Sequence, residues 1–83
     1  MTREEIRKAV LDALAGVAPE LDAETLDPKA DLRDALDLDS IDYLNFVVAL
    51  HKATAIDVPE KDYRKMSTLE GCVDYLDRRT KAA

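Results

Sequence analysis

Tryptophan is absent from this chain of 83 residues, and glycine occurs only twice, at Gly16 and Gly71. So small a supply of turn and bulge residues argues against a β-sandwich or barrel. Cysteine occurs once, at Cys72, so no intramolecular disulfide can form, and a reducing cytoplasmic setting fits that count. No run approaches the ~20 apolar residues of a membrane span, and Met1-Thr2-Arg3-Glu4-Glu5 lacks the apolar stretch of a signal peptide. The expectation is a soluble, cytoplasmic, monomeric protein without membrane insertion. Positive charge is also in deficit, with 12 Lys and Arg against 18 Asp and Glu and a net charge of -6. That balance repels nucleic acid and anionic lipid and favours partners with basic docking surfaces.

What the chain does have is helical periodicity in 47% apolar residues, which separates it from acidic disordered chains. One domain spanning residues 1–83 is expected from this length. Thr2 and Glu5 have the spacing of a capping box, and Ile6, Val10, Leu14 and Val17 form one stripe of a helix running to about Gly16. Residues 18–38 then form a long loop, interrupted by Pro19 and Pro28 and pinned by recurring leucines. A second helix opens at Asp39 or Ser40. Ile41, Leu44, Val48 and His51 fall on one stripe of it, and Phe46, Val47, Ala49 and Leu50 widen that stripe until little polar face remains. Residues 59–65 hold one or two helical turns around Tyr63. Ser67 and Glu70 offer a capping box for a last helix carrying Leu69, Cys72, Val73 and Leu76. The fold class is therefore all-α: a four-helix bundle with three longer helices, a short third one and a long first loop.

Self-sufficient catalysis finds no support. Asp37, Asp39 and Asp42 are crowded, but an EF-hand loop begun at Asp37 would place Ile41, Asp42 and Val48 where an oxygen ligand, Gly and Glu are required, so no metal site is assigned. Ser40 and His51 lie about 16 Å apart along one helix, whereas a hydroxyl and its base must approach within about 3 Å. No glycine-rich phosphate loop and no second Cys or His is present. Cys72 falls on an apolar stripe and reads as a buried structural thiol. Phe46, Ile56 and Leu69 serve equally as core or as the lining of an apolar cavity.

What remains is Asp39-Ser40-Ile41-Asp42 at a helix start, behind an acidic segment in which Arg33 is the lone cation. A serine at such a place is ordinarily only a cap. Here Asp39 can cap, which leaves Ser40 to face solvent where a phosphodiester is well tolerated by unpaired N–H groups.

These residues resemble the acyl carrier protein family. Asp39-Ser40-Ile41-Asp42 matches the family's attachment motif with Ile in place of Leu, and Phe46 to Leu50, Val58-Pro59, Ser67-Thr68-Leu69 and Val73 to Leu76 stand where that family has similar residues. The resemblance implies a non-enzymatic carrier whose 4'-phosphopantetheine arm, taken from coenzyme A by a phosphopantetheinyl transferase, is attached at Ser40. It implies partner enzymes that activate, synthesise or transfer acyl groups and whose basic patches meet Asp34, Asp37, Asp39 and Asp42, with Tyr43 as an apolar contact. The pathway implied is fatty-acid or specialised lipid or polyketide biosynthesis; Tyr43, Asn45, His51 and Lys52 stand where fatty-acid carriers are typically acidic, which moves the expectation toward the specialised pathway. Two alternatives share the fold. One is an aminoacyl or peptidyl carrier, disfavoured by Leu36-Asp37-Leu38 where glycines are usual. The other is an interaction module without the arm.

Overall fold

In the computed structural model, which describes residues 1–82, Thr2 opens α1 (Arg3–Val17). Its hydroxyl accepts from the Glu5 N–H at 3.2 Å, and the Glu5 carboxylate accepts from the Thr2 N–H at 2.8 Å. This reciprocal arrangement is the expected capping box. Ile6, Val10 and Leu14 are fully buried. The helix continues through Gly16, and the Ala18 N–H closes it on the Leu14 carbonyl.

The long connection is not structureless. It contains one helical turn, α2 (Leu32–Ala35), which the sequence pattern does not reveal. The Asp31 carboxylate creates that turn by accepting from the N–H groups of Arg33 and Asp34, and Leu32 anchors it in the core. Two main-chain hydrogen bonds fasten the connection to the far end of the chain. Leu32 N–H donates to Ser67 at 2.7 Å, and Glu70 N–H donates to Pro28 at 3.0 Å.

The central helix, α3 (Ser40–Thr54), packs on α1 and buries Tyr43, Phe46, Val47 and Leu50 in the core, with Tyr43 directed to Tyr63 and Met66. The other apolar stripe of this helix points outward: Ile41 is 70% exposed, Leu44 50% and Val48 44%. Both stripes have helical spacing, but the first presents two aromatic rings and ends on Leu50, whereas the second ends on His51. Burying the larger apolar area is the more favourable choice. Ala55, in the left-handed region at φ 59°, ends α3.

A 3₁₀ segment, Glu60–Met66, takes the place of the expected short third helix and leads into α4 (Leu69–Ala82). The cap of α4 differs from expectation. Thr68, not Ser67, accepts at its hydroxyl, from the Gly71 N–H at 2.9 Å. Ser67 lies one residue too early, in helical conformation, with its carbonyl engaged by Leu32. Gly71 meets a steric need, since a Cβ there would come within 2.6 Å of the Lys65 carbonyl oxygen. The core gathers Leu69, Cys72, Val73, Tyr75 and Leu76 from α4 with the buried faces of α1 and α3. Phe46 and Leu69 are sealed within it, and Ile56 packs at its edge.

Candidate functional site

Asp39 and Ser40 divide two tasks at the start of α3. Asp39 Oδ1 accepts from the Asp42 N–H at 2.8 Å, and Asp42 Oδ2 accepts from the Asp39 N–H at 3.4 Å, a capping box built from two aspartates. Ser40, the first helical residue, has no capping duty and is exposed. Its oxygen accepts a hydrogen bond from Arg33 Nη2 at 3.1 Å, which leaves its own O–H proton uncommitted.

The surrounding acids are disposed unequally. Asp31 caps α2, and Asp39 and Asp42 cap each other while each retains one carboxylate oxygen. Asp34 and Asp37 are exposed, and their carboxylates accept no hydrogen bond among the described residues. Asp37 holds φ at 53°, turning the chain between α2 and α3. The exposed row Ile41, Leu44 and Val48 begins beside Ser40 and runs along α3 toward His51 and Lys52. His51 is exposed, with Nδ1 3.1 Å from the Ile56 carbonyl oxygen, at the opposite end of α3 from Ser40.

Tyr43 is not part of this outer surface. It is only 7% exposed, and its hydroxyl lies 3.0 Å from the carbonyl oxygens of both Tyr63 and Met66, sharing one proton between them. Burial, with the Cys72 thiol nearby, drives its phenol well above the ordinary range, so it stays protonated and inward. Tyr43, expected as an apolar docking contact, is instead buried, and the apolar residues that this rotation of α3 leaves exposed near Ser40 are Ile41 and Leu44. Cys72 is fully buried, donates to the Met66 carbonyl at 3.2 Å, and has its thiol pushed up to about 12 by burial. It is inert core.

Beside Ser40 lies an open hollow of about 400 Å³ lined by Arg33, Tyr43, Leu44, Glu60 and Tyr63. Glu60 and Tyr63 come from the 3₁₀ segment; the sequence placed Tyr63 in a short helix but assigned neither residue to the site, because no local pattern ties residues 20 or more positions away to Ser40. Arg33 carried one visible signal, its place as the single cation among acids. Among the described residues no three His, Cys, Asp or Glu side chains converge as metal ligands, and no helix is long and apolar enough to cross a membrane.

A family model described as "Phosphopantetheine attachment site" matches residues 8–76. An acyl carrier protein from Rubrobacter xylanophilus is 30% identical over 76 residues, covering 92% of this chain and 93% of its own length. An acyl carrier protein from Syntrophobacter fumaroxidans is 35% identical over 63 residues, 76% of each chain. In three dimensions the fold is similar to a solution structure from Anaplasma phagocytophilum described as an acyl carrier protein. The TM-score is 0.80 at 23% identity, covering 95% of this chain and 92% of that one. An exposed hydroxyl at a helix start, a guanidinium in contact with it and an adjoining hollow are features that fit a phosphate-linked arm.

Proposed function

The chain belongs to the phosphopantetheine attachment site family, and on that premise we propose that it carries acyl groups as thioesters on a 4'-phosphopantetheine arm joined to Ser40. The observation that carries this reading is the exposed Ser40 hydroxyl at the first position of α3, relieved of capping by Asp39. When bound, the arm supplies the thiol that holds the acyl group. The chain itself supplies position. Among the described residues nothing activates Ser40, since its one hydrogen-bond partner there is the Arg33 guanidinium and His51 lies at the far end of α3. Deprotonation therefore falls to the transferase, and the role of the carrier is to raise the local concentration of a tethered substrate at successive enzymes.

Docking follows from the same end of the bundle. Asp34 and Asp37 project outward, Asp39 and Asp42 each offer one remaining oxygen, and Ile41, Leu44 and Val48 form an apolar strip next to them. A partner with a basic patch bordering an apolar groove fits this order. Beyond Asp42 the exposed side of α3 carries Asn45, His51 and Lys52 and no acid. That favours a partner less uniformly basic than one built for an all-acidic helix, and hence a specialised lipid or polyketide pathway over general fatty-acid synthesis.

Incubation with coenzyme A, magnesium and a promiscuous phosphopantetheinyl transferase tests the attachment by intact mass. The wild type is expected to gain one phosphopantetheine and Ser40→Ala none. Modification of Ser40→Ala, or no modification of the wild type by several transferases, would overturn the reading.

A further inference from the structure

Segment 31–42 holds five aspartates and one cation, Arg33. Arg33 forms an ion pair with none of them: among the described residues its guanidinium lies within 4 Å of no carboxylate. Instead it donates to Ser40 Oγ at 3.1 Å and lies over the Tyr43 ring, 5.8 Å from its centroid. This is an unusual choice for an exposed arginine in so acidic a setting, because a neutral hydroxyl offers less than a carboxylate. The Tyr43 ring holds the guanidinium in place through the attraction of a cation to an aromatic face. That ring is itself fixed, being buried and hydrogen-bonded to the carbonyls of Tyr63 and Met66.

We propose that Arg33 is the positioning residue for the phosphodiester of the arm, held beside Ser40 by Tyr43 so that it pairs with the phosphate once Ser40 is modified. This rests on Ser40 being the attachment site. The chemistry is one of charge and reach. On modification Oγ becomes an ester oxygen, and one negative charge is shared by the two unbridged phosphate oxygens a bond further out. A guanidinium already in contact with Oγ meets those oxygens by a small side-chain shift, and its planar fork can donate to both. The five aspartates would otherwise repel the new charge. Arg33 therefore offsets that repulsion and restricts the swing of the arm at its root, beside the hollow lined by Leu44, Glu60 and Tyr63.

The test compares apo and holo wild-type protein with holo Arg33→Gln and Arg33→Lys, after intact mass has established modification. In the wild type, side-chain NMR is expected to show exchange of the Arg33 Nε proton slowed by about 2- to 5-fold on modification, the range of an exposed ion pair. The ³¹P resonance should move with added salt in the wild type, barely in Arg33→Gln, and to an intermediate extent in Arg33→Lys, which keeps the charge and loses the fork. An Arg33 signal and a salt-independent ³¹P resonance unchanged between these samples, in fully modified protein, would overturn the role of Arg33 alone. Failure of the wild type to accept the arm would remove this inference and the attachment at Ser40 together.

Discussion

At the level of single residues, two positions hold backbone angles that their side chains do not favour. Ala55 sits at φ 59° and Asp37 at φ 53°. Aspartate tolerates this region better than most residues, but alanine gains nothing from it and carries the Cβ clash that disfavours left-handed backbone. Ala55 is exposed and its N–H ends α3 on His51. Ala55→Gly is therefore expected to stabilise the fold by about 1 kcal/mol, raising the melting temperature by roughly 4–8 °C for a domain of this size. Calorimetry measures this directly, and a lower midpoint would show that the residue is unstrained. Tyr43 makes the opposite case. Tyr43→Phe keeps the ring but strands the Tyr63 and Met66 carbonyls that its hydroxyl serves. A loss of about 1–3 kcal/mol in urea unfolding is expected, as for any buried polar group deprived of its partner. Asp39, Ser40 and Asp42 were legible in the sequence because capping acts over three residues. The inward turn of Tyr43 was not, because its partners lie 20 and 23 residues away.

Among the elements, α3 and the start of α4 show where periodicity stops informing. A helix with two apolar stripes can be buried along either, and contact with α1 and the 3₁₀ segment selects Tyr43, Phe46, Val47 and Leu50. That selection exposes Ile41, Leu44 and Val48 and so creates the apolar strip beside Ser40. The cap of α4 falls on Thr68 instead of Ser67 because Ser67 stays in helical conformation at the end of the 3₁₀ segment, with its carbonyl tied to Leu32, and lies one residue too early for its hydroxyl to reach the N–H groups of α4. The two glycines separate cleanly at this scale. A Cβ on Gly16, in α1, would meet nothing within 4 Å, whereas one on Gly71 would come within 2.6 Å of a backbone oxygen. Gly16→Ala should stabilise by about 0.5–1 kcal/mol through reduced chain entropy. Gly71→Ala should destabilise, since α4 and the 3₁₀ segment must separate to admit the methyl group. Parallel urea titrations with shifts of opposite sign are the expected result; a Gly71→Ala midpoint at or above that of the wild type would refute the account of Gly71, and a lowered Gly16→Ala midpoint that of Gly16.

For the molecule as a whole, the charged network around α4 governs the response to pH. Asp77 is buried, which raises its carboxyl, yet hydrogen bonds from Lys81 and Arg3 outweigh that and hold it below the ordinary range. Asp62 is held low chiefly by the Tyr75 hydroxyl at 2.6 Å, and Glu5 by its capping bond to the Thr2 N–H. For groups depressed on folding, the stabilisation is present above the unfolded value near 4 and is lost as pH falls through the folded one. Cys72 has the opposite shift, upward to about 12, so its contribution is present below the ordinary thiol range and is lost as pH rises toward that value. The expected profile is a stability plateau that falls below about pH 4 and again on the alkaline side. Urea midpoints measured across pH at constant salt check it, and Asp77→Asn should flatten the acid limb. A midpoint that rose steadily below pH 4 would contradict the assignment.

The sequence by itself determined where α1 and α3 begin, that the chain is all-helical, and that a serine and an aspartate exchange roles at one helix start. Caps and stripes act between residues three or four apart, so the local order of side chains contains them. Only the tertiary structure decided which face of α3 is buried, that a single turn forms around Leu32, and that Arg33 reaches Ser40 over the ring of Tyr43. Each of these depends on contacts between segments distant in the chain, where burial of apolar area and the pairing of main-chain groups are settled jointly and not residue by residue.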